Sequence, residues 1–257
     1  MEDIEVKADL CPVCNGTGKY KEYKDLNYTN VTYIERTCHG CNGKGWITIP
    51  IYKTSITRGY LYNCSSISGV TIPNTITSIE MEAFRFCYSL TDITIPNSVT
   101  SIGGLAFGRC YSLTNITIPS GVTTLDWAFL ECSGLTSVTI SDGVTNIGEW
   151  AFGECIGIKS IVIPDSVTSI EDCAFADCSG LTSVTIGSGV TSIGVNAFQN
   201  CSGLTSITIN AVTPPTLGSS AFIDTNNCPI YVPAESVDVY KQDSGWSGYA
   251  SRIRAIQ

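Results

Sequence analysis

Histidine is nearly absent from this sequence, which contains a single one, His39, among 257 residues. Ser-His-Asp triads, cysteine–histidine pairs and histidine-rich catalytic metal sites all need an imidazole that the rest of the chain does not supply. Most enzyme classes are therefore excluded, and we expect no catalytic residues. His39 itself lies in a cysteine-rich turn, where we expect it to be exposed.

Charge is also scarce. Only 14% of the residues are Asp, Glu, Lys or Arg, and Ser, Thr and Gly fill the places that charge usually takes. Residues 1–55 contain equal numbers of acidic and basic side chains, so the net charge of −9 belongs to the rest of the chain. An acidic surface gains nothing from phosphate contacts, so we expect no nucleic acid partner for that part. The neutral N-terminal segment could still contact RNA or DNA.

Long apolar runs are missing as well. No segment approaches the ~20 apolar residues that span a bilayer, so we expect no transmembrane segment. The opening residues, MEDIEVKADL, contain neither the basic region nor the apolar region of a secretory signal. We therefore expect no export signal in this sequence.

What the sequence has in abundance is a repeat of 22 or 23 residues. A segment such as Leu-Thr-Asp-Ile-Thr-Ile-Pro at residues 90–96 occurs in each unit, and its alternating apolar residues predict a short strand with one inward face. Units with one such strand each stack into a parallel-stranded solenoid. An Ala-Phe pair closes each coil from the opposite side, which predicts a spine of stacked rings at Phe84, Phe107, Phe129, Phe152, Phe175 and Phe198.

Seven of the 13 cysteines also follow the repeat. We interpret them as small buried groups with weak S–H donors that fill the bend after each phenylalanine. The alternative is that neighbouring thiols of the stack oxidise in pairs. A ladder of identical sites has no unique pairing, which favours the reduced form. These cysteines are Cys64, Cys87, Cys110, Cys132, Cys155, Cys178 and Cys201.

The pattern LTSITIP, followed by VTSIG, AF and C, recurs in nearly every unit from about residue 64 to residue 209. In these motifs the chain resembles the BspA-type leucine-rich-repeat proteins of bacterial surfaces. The segment from Cys228 to Ile256 is similar to the C-terminal region that closes such arrays, and Trp246, Tyr249 and Ile253 could cover the last coil. The resemblance implies adhesion or binding to proteins, cell surfaces or other bacteria, and a location at the bacterial surface.

Two cysteine knuckles precede the repeats, CPVCNGTG from Cys11 and CHGCNGKG from Cys38. The spacing C-x2-C-x23-C-x2-C predicts one structural zinc ion held by Cys11, Cys14, Cys38 and Cys41, because four thiolates complete a closed tetrahedral site. Alternating residues on either side of Asn27–Asn30 predict a two-stranded hairpin between the pairs. Thioredoxin-like redox chemistry at Cys11 and Cys14 is the competing interpretation.

These knuckles match the CxxCxGxG signature and so resemble half of the cysteine-rich zinc domain of DnaJ-type co-chaperones, which carries four copies and two zinc ions. The His-Pro-Asp motif of the J-domain is absent, so stimulation of a chaperone ATPase does not carry over. The resemblance implies a zinc-held protein-binding or docking module of about 45 residues.

The outward positions of the predicted strands form columns of hydroxyl groups along the solenoid. We expect this low-charge face to bind a protein or glycan partner. The alternative is purely structural, because threonine favours strands and its hydroxyls can pair from coil to coil. The predicted binding residues are Thr91, Asp92, Thr94, Thr114, Asn115, Thr117, Thr136, Ser137, Thr139, Lys159, Thr182, Thr185, Thr205 and Thr208.

The residue before each repeat cysteine forms another column, which contains Arg109, Glu131, Glu154 and Asp177. Three stacked carboxylates repel one another unless they are solvated or share a cation. We expect solvated carboxylates, with weak calcium binding as the alternative.

The fold predicted from these features is mainly β, with a zinc-binding hairpin domain (1–50), a linker and N-terminal cap (51–65), a leucine-rich-repeat solenoid of about seven coils (66–210) and a C-terminal cap (211–257). We expect a monomeric, non-enzymatic recognition protein. Two other functions remain open. One is an intracellular chaperone-like adaptor that uses the zinc module, and the other is a phage-borne structural or host-recognition protein. The first would place the chain in the cytoplasm and the second on a phage particle.

Overall fold

The structure is a computed structural model that describes residues 45–257 in full and the backbone of residues 19–23 and 33–37. In this N-terminal part, strand β1 (Lys19–Tyr23) pairs antiparallel with strand β2 (Tyr33–Thr37), with Lys19 opposite Thr37. The two strands are those that the alternating sequence predicts. The four predicted zinc ligands lie outside the described residues, so the zinc-bound domain remains a prediction.

From Trp46 onward the chain winds into a solenoid, and each coil begins with a strand on what we call the long-strand face. Apolar residues alternate with exposed polar ones in these strands, because one side faces the core and the other faces solvent. All neighbouring pairs on this face are parallel. The strands are β3 (Trp46–Thr48), β5 (Gly69–Thr71), β7 (Asp92–Thr94), β9 (Asn115–Ile118), β11 (Ser137–Ile140), β13 (Ser160–Ile163), β15 (Ser183–Ile186), β17 (Ser206–Ile209), β19 (Ile230–Val232) and β20 (Ile253–Ala255).

A second wall consists of two-residue strands, each of which places one aliphatic side chain in the core. Proline or a turn residue separates these strands from those of the long-strand face, because proline cannot donate to a strand ladder. The short strands also pair in parallel from coil to coil. They are β4 (Ser55–Ile56), β6 (Ser78–Ile79), β8 (Ser101–Ile102), β10 (Thr124–Leu125), β12 (Asn146–Ile147), β14 (Ser169–Ile170), β16 (Ser192–Ile193) and β18 (Thr216–Leu217).

The third wall, which we call the turn wall, contains the Ala-Phe pairs and the repeat cysteines. Its backbone groups also bond from coil to coil: the N–H of Phe129 donates to the carbonyl of Ala151 at 2.9 Å, and that of Phe152 to Ala174 at 2.8 Å. Two residues per coil on this wall have positive φ, one before the alanine and one before the cysteine, as at Trp127 (φ 57°) and Glu131 (φ 58°). A left-handed conformation disfavours side chains other than glycine and asparagine, at about 1–2 kcal/mol per residue. The coil-to-coil hydrogen bonds of these same residues help to offset that cost.

Two columns of repeated residues on the turn wall form a large part of the core. The predicted phenylalanine spine is confirmed: neighbouring rings from Phe84 to Phe222 lie 5.1 to 5.4 Å apart with nearly parallel planes. All seven of these rings are buried. Each buried phenylalanine contributes about 1.5–3 kcal/mol by leaving water, and each aromatic pair adds about 0.5–1.5 kcal/mol. The spine therefore carries a large part of the solenoid's stability.

Six of the repeat cysteines, from Cys87 to Cys201, are buried beside this spine as free thiols. The prediction that they act as weak donors is confirmed, since the Sγ of Cys132 donates to the carbonyl oxygen of Phe107 at 3.0 Å and that of Cys155 to Phe129 at 3.2 Å. Burial raises the pKa of Cys132 to about 12. Burial and the neighbouring Cys132 thiol raise the pKa of Cys155 well above its ordinary value. Thiols of this kind stay protonated and unreactive at neutral pH.

The solenoid has about nine coils, two more than predicted. It extends into both flanking segments, because Ser55–Ile56 already pairs with Ser78–Ile79 and Ile230–Val232 continues the long-strand face. In the described part of the chain, that face is divided into three sheets. Their strands are β3, β5 and β7 in the first, β9 and β11 in the second, and β13, β15, β17, β19 and β20 in the third. The end coils depart from the repeat pattern in sequence while keeping its backbone path.

The C-terminal end of the spine is covered by residues that follow helix α1 (Val237–Gln242). Trp246 is fully buried, and its indole N–H donates to the carbonyl of Pro215 at 2.8 Å. Its ring and that of Tyr249 pack on Phe222, with centroids 5.9 and 5.8 Å away. Ile253, in β20, pairs with Ile230. These three residues cover the last coil, as their apolar character predicts.

Candidate binding face

The long-strand face presents two columns of outward residues within its strands. In the first, Ser160, Ser183 and Ser206 stand side by side, and Ser137 pairs with Asn115. In the second, Thr139 pairs with Thr117, while Val162 is followed by Thr185 and Thr208. Of the predicted binding residues, Thr185 and Thr208 are half-buried and the other twelve are exposed. Only Asp92 and Lys159 among them are charged, so the surface they form has little charge.

A third column lies just before the strands and serves a different purpose. The hydroxyls of Thr91, Thr136, Thr182 and Thr205 each donate to a backbone carbonyl of the preceding coil, at 2.7 to 3.1 Å. The alternative that threonine hydroxyls link the coils therefore holds for these four, although they pair with the backbone and not with one another. The side chains inside the strands are better placed to meet a partner.

Two residues interrupt the uniform face near its centre. Lys159 is exposed, and it is the one basic side chain among the predicted binding residues. Val162 is 63% exposed, which places an aliphatic group where the neighbouring strands have threonine. The centre of the face therefore offers one positive charge and one apolar side chain, which the hydroxyl columns do not.

The N-terminal end of the face contains a groove of about 410 Å³ that the sequence did not predict. One wall is the indole of Trp46, which is 48% exposed. The next two coils supply the rest of the lining, which is part apolar and includes the polar residues Thr71, Asn74, Asp92, Thr94 and Asn97. The signal that could have revealed this site is the departure from the repeat, since Trp46, Gly69 and Asp92 form the column that elsewhere holds Asn115 or serine.

The column before the repeat cysteines lies on the outside of the turn wall. The guanidinium of Arg109 donates through Nε to Oε1 of Glu131 at 2.8 Å, and the two side chains form an ion pair. The amide of Asn200 donates to Asp177 at 2.7 Å. Glu154 lies between these pairs, and partial burial together with the charges of Glu131 and Asp177 raises its pKa. Within residues 45–257 no group of His, Cys, Asp or Glu is arranged to hold a metal ion.

The predicted zinc ligands Cys11, Cys14, Cys38 and Cys41 all lie outside the described residues, as does His39. None of the helices in the described part combines the length and apolar character that crossing a bilayer requires.

Comparison with known proteins agrees with this geometry. The model of the BspA type leucine-rich repeat region matches residues 19–127 and 126–242, in six copies. No curated protein gives a match to the chain.

Solved structures show the same solenoid. A leucine-rich repeat protein from Bacteroides ovatus is 25% identical, with a TM-score of 0.58 over 90% of this chain and 67% of its own. A leucine-rich repeat protein of T. pallidum is also 25% identical, with a TM-score of 0.57 over 62% of this chain and 77% of its own. A third, from Eubacterium ventriosum, is 24% identical, with a TM-score of 0.54 over 62% of this chain and 43% of its own.

Proposed function

The chain belongs to the BspA-type leucine-rich-repeat family, and we propose that it is a non-enzymatic recognition or adhesion protein that binds a protein or glycan through the long-strand face. Solenoids of this family typically act as binding scaffolds, and the described residues contain no histidine that could serve as a catalytic base. The observation that carries the proposal is the outward strand column itself. Its hydroxyl and amide groups are held at fixed spacing by parallel ladders on both sides.

The physical basis of recognition on such a face is preorganisation. Side chains on a rigid ladder lose little further freedom when a partner binds, so less of the interaction free energy is spent on ordering them. Hydroxyl groups both donate and accept hydrogen bonds, which suits amide and hydroxyl partners equally well. Lys159 and Val162 at the centre supply one charge and one apolar contact, and we propose them as the anchor of the interface.

Substitution Thr139→Arg tests this proposal, because it adds a long charged side chain at the middle of the exposed column. We expect it to remove most partner capture while leaving the unfolding midpoint within a degree or two. A matched variant, Ser202→Arg, places the same side chain at an exposed position of the turn wall. Proteins and glycoconjugates from host-cell surfaces would be captured on immobilised wild type and both variants, and quantified by mass spectrometry. Ligands lost with Thr139→Arg and kept with Ser202→Arg support the face; the reverse pattern moves the site to the turn wall.

We further propose that Cys11, Cys14, Cys38 and Cys41 hold one structural zinc ion, which makes the N-terminal module a docking or stabilising element. Metal binding supplies folding free energy of order 10 kcal/mol in small zinc modules, more than a two-stranded hairpin supplies for itself. Substitution Cys38→Ser should reduce bound zinc from one ion per chain to none. The unfolding of the solenoid should stay nearly unchanged. Zinc retained at one ion per chain in this variant would rule out the four-cysteine site.

A further inference from the structure

We propose that the groove between Trp46 and Asp92 is a binding subsite for one sugar residue of a glycan, with the pyranose ring stacked on the indole. This subsite is one part of the recognition face proposed above and so rests on that function. It names the ligand class, and it locates the contact in the first three coils. The strand column at the centre of the face is a separate part of the surface.

The position of the indole ring is set by Gly69. A Cβ built on Gly69 would overlap Cε3 and Cζ3 of Trp46, so the ring lies directly over the strand of the second coil. The indole N–H donates to the hydroxyl of Thr71 at 2.9 Å, which fixes the ring in that orientation. One face of the ring is thus held against the backbone, while nearly half of the side chain remains exposed to solvent. An aromatic ring held flat and open in this way is a platform for the C–H face of a sugar.

The polar side chains beside the ring have unused hydrogen-bonding capacity. In the part of the chain that the structure describes, Asn74, Asp92, Thr94 and Asn97 have no side-chain partner. Together they offer amide donors, amide and carboxylate acceptors, and a hydroxyl that does both. Neighbouring sugar hydroxyls present the same mixture. The groove volume of about 410 Å³ lies within the range of roughly 300–1,000 Å³ that small-molecule sites occupy.

Several residues of the groove occupy positions at which the first coils differ from the later ones. Where later coils place serine along the column, the first three place Trp46, Gly69 and Asp92. Asp92 is the one carboxylate among the outward strand residues predicted to bind. Asn74 and Asn97 occupy equivalent positions after the prolines of consecutive coils. Stability of the repeat does not require these changes, because the other coils stack without them.

A cation is the other ligand that an indole and a carboxylate can accept. It would use the ring face and Asp92, but a cation such as an ammonium or guanidinium group has no acceptor for the amide donors of Asn74 and Asn97. Four of the five polar groups around the ring are neutral. A neutral ligand with many hydroxyls satisfies more of them, so the geometry favours a sugar.

The test uses the full chain on a printed glycan array, followed by saturation-transfer NMR with the methyl glycosides of the sugars that terminate the bound glycans. We expect binding that weakens at least tenfold in Trp46→Ala and in Gly69→Ser, which displaces the ring. Asp92→Asn should also weaken it by several-fold. This variant should fold normally, because Asn115 occupies the same column in the next coil. The matched control Asp142→Asn removes an exposed carboxylate that lies outside the groove, and it should bind like wild type.

Three outcomes would overturn the proposal. They are the absence of any bound glycan, glycan binding that Trp46→Ala leaves unchanged, and, in a parallel titration with a lysine-rich peptide, binding of that peptide without binding of any glycan. The Thr139→Arg variant separates this test from that of the proposed function. If glycan binding survives Thr139→Arg and is lost in Trp46→Ala, the result supports the sugar subsite in the groove, whatever ligand the central face binds. If partner capture is lost in Thr139→Arg while no glycan binds the wild type, the result supports partner binding by the central face and overturns the sugar subsite.

Discussion

Two columns of the turn wall, only a few atoms apart, follow opposite rules. Inside, every coil from Phe84 to Phe222 supplies the same residue at the same height, and the rings stack at nearly constant spacing. Outside, the residue before each cysteine changes from coil to coil and forms local pairs, Arg109 with Glu131 and Asp177 with Asn200. An interaction between equivalent residues of neighbouring coils, favourable or unfavourable, is therefore repeated along the whole stack.

The difference follows from the nature of the two interactions. Apolar rings attract one another at every step, so each further ring adds a favourable interaction with its neighbour. Like charges at the same spacing repel at every step, so an outer charged column has to vary or find partners. Variation outside therefore costs the fold little. It leaves room for surface chemistry of the kind seen at Trp46 and Asp92.

The sharpest way to break the inner column is Phe152→Ala, at the middle of the spine. The ring is fully buried between Phe129 and Phe175, at 5.3 and 5.4 Å. We expect a loss of about 3–5 kcal/mol in the free energy of unfolding, because the substitution removes the ring and leaves a cavity. Denaturant unfolding followed by circular dichroism measures it. Since each coil contacts only its neighbours, the transition could also split in two at the defect.

The control for this prediction is Ser160→Ala on the outside of the same region, which should change stability by no more than about 0.5 kcal/mol. Equal effects of the two substitutions would mean that the spine does not carry the stability assigned to it. Buried and exposed positions of this region would then not differ in stability as the comparison requires.

A smaller effect is expected at the cysteine column. Cys155→Ala removes a buried sulfur and its contact with the Phe129 carbonyl, at a cost of about 1–2 kcal/mol. That carbonyl is not orphaned, because it still accepts the N–H of Cys132 at 3.1 Å. The same denaturant experiment measures the change. A loss above about 4 kcal/mol would show that the thiol has a role beyond packing.

Thiol labelling sharpens the same comparison without mutation. Burial raises the pKa of the Cys155 thiol well above its ordinary value, so at pH 8 it should not react with Ellman's reagent until the solenoid opens. Cys173 is half-buried on the same wall and should be labelled before Cys155. Peptide mapping by mass spectrometry distinguishes them. Labelling of Cys155 as fast as Cys173 would contradict a closed interior.

The interior could be predicted from the sequence because each inward position recurs seven times or nearly so. The period alone identifies the phenylalanine spine and the buried thiols. The left-handed positions were missed, since Trp127, Glu131 and Arg109 give no sign of positive φ. Asparagine, which tolerates that conformation, occurs there in some coils, at Asn63, Asn196 and Asn200.

The ends and the groove were missed for a different reason. The first coil keeps the segment Trp-Ile-Thr-Ile-Pro at residues 46–50, which aligns with Asp-Ile-Thr-Ile-Pro at residues 92–96. Because no Ala-Phe pair precedes it and Cys41 is interpreted as a zinc ligand, the segment falls inside the zinc-binding domain predicted for residues 1–50. The sequence alone therefore does not indicate that Trp46 lies near Asp92. The groove that they share depends on Gly69 in the coil between them, and it is visible only once the coils are stacked.

The smallest effect is expected from Glu154→Gln, and it has the opposite sign. Partial burial, Glu131 and Asp177 raise the pKa of Glu154, so its charged form is disfavoured in the folded state. A raised carboxyl pKa lowers stability above that pKa and has no effect at a pH below its unfolded value, where both states are protonated. Glu154→Gln should therefore stabilise the solenoid at pH 7 and leave it unchanged below about pH 4.

Because Glu154 is largely exposed, solvent screens these interactions, and the gain should not exceed about 0.5 kcal/mol. Denaturant midpoints at pH 7 and pH 3.5 measure both limits. The matched variant Asp142→Asn removes a carboxylate that is exposed on another part of the coil, and it should show no such gain. If Glu154→Gln instead destabilised the protein at pH 7, the carboxylate would have an attractive partner in this column. The repulsion assigned to this position of the outer column would then be wrong.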